Sequence, residues 1–123
     1  RMKIPFLSLE PQHAAIRDQV LAAMTRVYDS NWYVLGQEVE RFELEYAAFS
    51  GVAHCVGVGN GLEALHLALR AAGVGPGDEV LVPSNTYIAT WLAVSQVGAK
   101  IVPVEPNAAT YNIDAAGIEA CIT

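Results

Sequence analysis

The stretch Gly57-Val58-Gly59-Asn60-Gly61-Leu62-Glu63-Ala64-Leu65-His66-Leu67-Ala68-Leu69 decides the fold. Residues 54–58 form a short apolar run bounded by glycines, which reads as a buried strand. Gly59-Asn60-Gly61 turns the chain, and Leu62, Leu65, Leu69 and Ala72 then recur at helical spacing. Gly73 and Gly75-Pro76-Gly77-Asp78 end that helix and turn the chain again. Val80-Leu81-Val82-Pro83 reads as a second strand, and Ile88, Trp91, Leu92 and Ser95 line the helix after it. Residues 100–104 form a third strand, and 115–121 begin a further helix with Asp114 as its cap. Strand, helix, strand, helix, strand implies parallel pairing with right-handed crossovers, so the expected fold class is α/β.

Towards the N-terminus the period changes. Ile16, Val20, Ala23, Met24 and Val27 fall three and four apart, which predicts an amphipathic helix over 12–29. The loop Ser30-Asn31-Trp32-Tyr33-Val34-Leu35-Gly36 follows. Val39, Phe42, Tyr46 and Phe49 then mark a second helix closed by Ser50-Gly51.

Composition narrows the function classes. The 123 residues are 53% apolar and 16% charged, with 13 acidic and 7 basic side chains and a net charge of −6. That much apolar content excludes a disordered chain. No apolar run approaches the ~20 residues that span a bilayer, and scattered Lys and Arg give no footprint for nucleic acid or an anionic membrane. Cys55 and Cys121 are the only cysteines, so no disulfide framework is expected, and the setting reads as cytoplasmic. No His/Cys spacing resembles a metal site. Arg1 before Met2 reads as a scar with Met2 as the natural start, and Cys121-Ile122-Thr123 stops inside a helical pattern. Both features lead us to expect a truncated piece of a longer protein.

In parallel sheets, ligands bind where strand carboxyl ends meet helix N-termini. Two turns qualify, 57–63 and 83–87. Glycines let a backbone approach a phosphate closely, and free N–H groups at a helix start attract an anion. A tight turn without a ligand is the plain alternative. A dinucleotide-binding turn would need a third glycine at position 62, which is Leu62, and an acid at the end of the second strand, which closes Val82-Pro83-Ser84-Asn85. A Walker loop fails for want of Gly-Lys-Ser/Thr. A single phosphate held by the amides around Gly61, Leu62 and Glu63 remains, with only the main chain of Glu63 able to serve. Tyr87, read as one turn into the next helix, adds an aromatic face. A flat, phosphorylated ring such as pyridoxal phosphate has the shape to suit both.

The two blocks 57–69 and 75–90, with Ile4-Pro5-Phe6-Leu7-Ser8-Leu9 and the run from Trp32 to Glu43, resemble the DegT/DnrJ/EryC1/StrS nucleotide-sugar aminotransferases. The form Asn-Gly-Leu-Glu-Ala-Leu with Trp-Tyr-Val-Leu-Gly is most similar to members acting on dTDP-3-keto-6-deoxyhexoses. The resemblance implies the N-terminal portion of the large domain of a fold-type-I pyridoxal-phosphate transferase, a parallel-rich sheet flanked by helices. Residues 1–123 would be an incomplete domain, with helices over 1–50 and strand–helix units over 51–123. It implies that the amides of Leu62 and Glu63 bind the cofactor phosphate, that Tyr87 stacks on the pyridine ring, and that Tyr33 and Gly36 lie near the sugar site or a subunit interface. The implied reaction moves an amino group from an amino acid, commonly glutamate, to a keto sugar nucleotide in a homodimer with shared sites.

The resemblance also implies a Schiff-base lysine and an acidic partner for the pyridine nitrogen, both from beyond position 123. Lys3 lies in the N-terminal tail and Lys100 opens the third strand, so no catalytic residue is expected here. It further implies that the strand at 54–58 pairs with a late strand, while the second and third strands sit together. Two readings from other classes remain, a noncatalytic α/β module binding a phosphate ligand and, third, a Rossmann oxidoreductase.

The other residues have plain expectations. His13 is solvated, His54 structural, His66 packed, Cys55 a small buried hydrophobe and Trp91 a core residue. Glu38, Glu40, Glu43 and Glu45 form a solvated helix face, and Ser84 and Thr86 are helix caps. Trp32 and Tyr33 contact either a substrate or a partner subunit.

Overall fold

The computed structural model describes residues 4–123; the readings of Arg1, Met2 and Lys3 lie outside them. The chain forms two compact units, Arg1–Gly57 and Val58–Thr123.

The first unit holds α1 (Glu10–Ser30) and α2 (Gln37–Ser50). Pro11 stands in the first turn of α1, where its missing N–H costs nothing, and Asn31 ends the helix in the left-handed region (φ 53°). Arg26 Nε donates to Glu38 Oε1 at 2.8 Å, tying α1 to α2. The apolar stripes read from the sequence are present but largely uncovered: Met24, Phe42 and Phe49 are exposed, and Ala47 is the buried residue of the pair. Phe42 stacks on Tyr46 with ring centroids 5.5 Å apart.

The second unit is built on α3 (Gly61–Ala71), β1 (Glu79–Pro83), α4 (Ile88–Gln96) and β2 (Lys100–Val104). The two strands pair in parallel, Glu79 opposite Lys100 through Pro83 opposite Val104, with α4 as the crossover. α3 and α4 end alike. Gly73 (φ 79°) and Gly98 (φ 78°) take the left-handed conformation, and the following Val74 and Ala99 N–H groups reach back to Leu69 and Val94 carbonyls. Those same following residues carry the chain into the core. Val82 and Val94 are its fully buried centre, joined by Val97 and Ala99, with Leu69, Val80, Trp91 and Ile101 packed around them. Burying each valine contributes about 1.5–3 kcal/mol. A last helical stretch, α5 (Ala115–Ile118), is capped by Asp114 Oδ1 accepting from Ala116 N–H at 3.1 Å, and runs into a 3-10 turn, Glu119–Cys121.

Three expectations change. Residues 54–58 are not a buried strand: Val56 is 76% exposed, His54 is exposed, and no ladder includes them. A strand exists only against a hydrogen-bonded neighbour, and among the described residues none lies beside this run. The sheet is therefore two strands rather than three. The helical pattern at 115–121 also closes, with Ile122 extended after the 3-10 turn. Cys55 is half-buried.

Candidate functional site

The turn before α3 is closed by two reciprocal side-chain bonds. Asn60, the N-cap, accepts the Glu63 N–H on Oδ1 at 3.0 Å. Glu63 folds back so that Oε2 accepts the Gly59 N–H at 2.9 Å. This arrangement resembles a capping box, displaced by one residue from the N-cap itself. A Cβ on Gly59 would stand 2.7 Å from that oxygen, so glycine is what allows the carboxylate in.

The cap changes the expected donor set. The Glu63 amide, expected to hold a phosphate, is already donated to Asn60. Gly61 and Leu62, the first two residues of α3, have N–H groups with no acceptor among the described residues. They point from the positive end of an 11-residue helix, as an anion requires. The Glu63 carboxylate is engaged within its own turn.

The second turn follows β1. Ser84 N–H donates to Val104 O at 2.9 Å, and Thr86 N–H donates to Pro83 O at 3.2 Å. Tyr87 is the N-cap residue of α4, with extended backbone, rather than one turn inside the helix, and the residue is 78% exposed. No side chain caps α4, so Ser84 and Thr86 are not its caps; Thr86 Oγ1 instead shares a 2.9 Å hydrogen bond with Thr90 Oγ1. α3 and α4 pack side by side, so the amide pair and Tyr87 belong to one unit.

Tyr33 and Gly36 belong to the first unit. With Arg26, Ser30, Trp32 and Arg41 they line an open cavity of about 550 Å³. Tyr33 Oη donates to Tyr28 O at 3.2 Å. Gly36 has a local reason to be glycine, since a Cβ there would lie 3.1 Å from Trp32 O.

The glutamates of α2 are not a uniformly solvated face. Glu38 pairs with Arg26, Glu45 with Arg41 at 2.7 Å, and Glu43 accepts the Gly57 N–H at 2.7 Å. The hydrogen bond from Arg26 holds the Glu38 carboxyl below the usual carboxylate range. Sequence spacing could have flagged the Arg41–Glu45 pair, four residues apart, but not the other two. Lys100 is held in an ion pair with Glu79 where both strands begin. The hydrogen bonds from Lys100 and from Thr123 push the Glu79 carboxyl down.

Residues 14–123 match the DegT/DnrJ/EryC1/StrS aminotransferase family. The chain belongs to that family. It is 52% identical over 99% of its length to the erythromycin biosynthesis sensory transduction protein EryC1 of Saccharopolyspora erythraea, covering 33% of that protein. It is 51% identical over 98% of its length to the dTDP-3-amino-3,4,6-trideoxy-alpha-D-glucose transaminase of Streptomyces venezuelae, covering 32% of it. The crystal structure of S. venezuelae DesV in complex with a ketimine intermediate superposes on the whole chain with a TM-score of 0.94 and 50% identity, over 33% of DesV. The chain thus spans about a third, the N-terminal third, of the relatives it matches.

DegT-family aminotransferases depend on pyridoxal phosphate. The donor set of this family member fits the phosphate end of that cofactor: two unpartnered amides, a glycine turn and no free carboxylate facing out. Lys100 does not fit the covalent role, because its ammonium is paired with Glu79 at the strands' amino ends. Tyr87 stands after the carboxyl end of β1.

Proposed function

We propose that this chain is the cofactor-phosphate and ring-stacking part of a sugar aminotransferase. The reaction would carry an amino group from an amino acid, glutamate as the first candidate, to a dTDP-linked keto deoxysugar, in a homodimer. The observation that carries the reading is the amide pair of Gly61 and Leu62, left free by a cap that consumes the Glu63 amide. In this role the two N–H groups bind the phosphate and fix one end of the ring. Tyr87 covers a ring face and excludes water from it, a contact worth ~1 kcal/mol beyond its area. Tyr33 and Gly36 contribute to the sugar side or to the subunit contact, supported by the cavity they line. Bound there, pyridoxal phosphate supplies the electron sink for the amino transfer. The lysine that bonds to it, and the acid at its ring nitrogen, come from outside 1–123.

Homodimer formation is supported by the uncovered apolar side chains of the first unit, including Phe49 at 85% exposure.

A second reading, a noncatalytic module binding a phosphate ligand, is favoured by one observation: a 52%-identical relative is named a sensory transduction protein. The test is amino transfer by the full encoded protein, supplied with pyridoxal phosphate, glutamate and a dTDP-3-keto-6-deoxyhexose and read by the mass of the product. Aminated sugar nucleotide supports the enzyme. Stoichiometric cofactor binding with no product from any keto sugar nucleotide supports the binding module.

A further inference from the structure

Asn85 joins two turns that are far apart in sequence. Its side-chain amide Nδ2 donates to the carbonyl oxygen of Tyr111 at 3.0 Å, across 26 residues. Tyr111 lies in a closed loop between Pro106 and Ile113, which pair as an antiparallel bridge. Asn107 organises that loop: its Oδ1 accepts the Ala109 and Thr110 N–H groups, and its carbonyl accepts the Tyr111 N–H at 2.8 Å. Tyr111 is held at φ 58°, a conformation that an aromatic residue seldom adopts unless its surroundings impose it. Its carbonyl is thereby aimed at a fixed place, and Asn85 meets it there.

The Tyr87 turn is also held to α4 by the Thr86–Thr90 hydroxyl pair at 2.9 Å and by the Thr90 N–H on the Tyr87 carbonyl at 3.0 Å, bonds that stay within the turn and its own helix. The bonds from Ser84 and Thr86 N–H secure its first half, before Tyr87. No side chain caps α4, and Tyr87 is exposed rather than packed. Asn85, two residues before Tyr87, makes the one side-chain bond from this turn to another loop among the described residues.

We propose that Asn85 is a positioning residue: by tying the 84–87 turn to the hydrogen-bonded 106–113 loop, it sets where the Tyr87 ring stands over the cofactor. This rests on the stacking role given to Tyr87 under Proposed function. A side-chain amide suits the task because it offers a donor to a carbonyl. Aspartate, of the same shape, offers only acceptors there.

The test uses the full encoded protein loaded with pyridoxal phosphate, in four forms: wild type, Asn85→Asp, Tyr87→Ala and the double variant. Readouts are cofactor retained after dialysis, the visible absorbance and circular dichroism of the bound ring, and the thermal midpoint of the cofactor-free protein. Asn85→Ala repeats the measurement should Asn85→Asp fold poorly. The expected result is about fivefold weaker retention and a changed ring dichroism in Asn85→Asp, the ordinary worth of one hydrogen bond. Little further loss is expected when it is added to Tyr87→Ala. Full retention in Asn85→Asp, or losses that simply add, would overturn the positioning role while leaving the stacking reading intact. Unchanged retention in Tyr87→Ala alone would overturn both.

Discussion

Glu63 reaches back across its own turn to Gly59, its Oε2 taking the Gly59 N–H at 2.9 Å while its main-chain N–H is taken by Asn60. A side chain that looked hostile to a phosphate is thus removed from the helix mouth. The same bonds leave the amide pair before it free. A Cβ at position 59 would stand 2.7 Å from that carboxylate oxygen and push it aside, so glycine here keeps the Glu63 bond rather than the turn itself.

Removing this lock should loosen α3 from its N-terminal end. Asn60→Ala loses an N-cap, worth about 1 kcal/mol, and hydrogen exchange across the first turn of α3 should quicken about fivefold. Gly59→Ala should displace the Glu63 carboxylate. Its effect combined with Glu63→Ala should therefore be smaller than the sum of the two, and additive losses would mean that the carboxylate is not held by that bond.

Leu62 separates main-chain from side-chain roles. It is the second residue of α3, where proline is tolerated. In the full encoded protein, Leu62→Pro deletes one of the two free N–H groups and should weaken pyridoxal-phosphate binding about tenfold, the scale of a charge-assisted hydrogen bond. Leu62→Ala should leave it near wild type. Equal dissociation constants for the two variants would remove the amide from the phosphate site.

Tyr87→Ala should reduce cofactor retention about fivefold in the full encoded protein, the equivalent of ~1 kcal/mol for a stacked ring. Tyr87→Phe should keep it near wild type, since the proposed contact is through the ring face rather than the hydroxyl. Visible absorbance after dialysis measures both.

Lysine chemistry gives a negative control. The 123-residue chain mixed with pyridoxal phosphate should develop no stoichiometric lysine–cofactor absorbance band, because Lys100 stands at the amino ends of the strands, opposite to the 84–87 turn at the carboxyl end of β1. A band lost in Lys100→Met would contradict that placement.

Acid should weaken the second unit through Glu79. Hydrogen bonds from Lys100 and Thr123 lower its folded-state pKa below the ordinary 4.5. Its contribution is therefore complete above 4.5 and is lost as pH falls through the lower folded value, where the unfolded chain binds the proton first. Glu38, lowered chiefly by the hydrogen bond from Arg26, acts in the same direction in the first unit. Thermal midpoints recorded from pH 6 down to pH 3 should fall less steeply in Glu79→Gln than in wild type.

Much of this was legible in the residues. Gly51 and Gly73, read as helix ends, each close a helix in the left-handed conformation, and Asp114 caps α5. Val80-Leu81-Val82 is a strand because its apolar run has a partner at 100–104. Among the described residues the run at 54–58, of similar composition, has no partner and forms no strand. Composition reports what a segment can bury, and pairing depends on what arrives beside it.

The sequence by itself determined the helices, the two paired strands and the glycine turn before α3, because propensity, period and turn chemistry act over a few residues. Tertiary structure alone decided which amides at that turn stay free, that Tyr87 stands at the mouth of α4, and that Asn85 meets Tyr111. Those outcomes turn on where side chains point once the backbone has closed. A shift of one hydrogen bond, from an open amide to a capped one, leaves no trace in the spacing of letters.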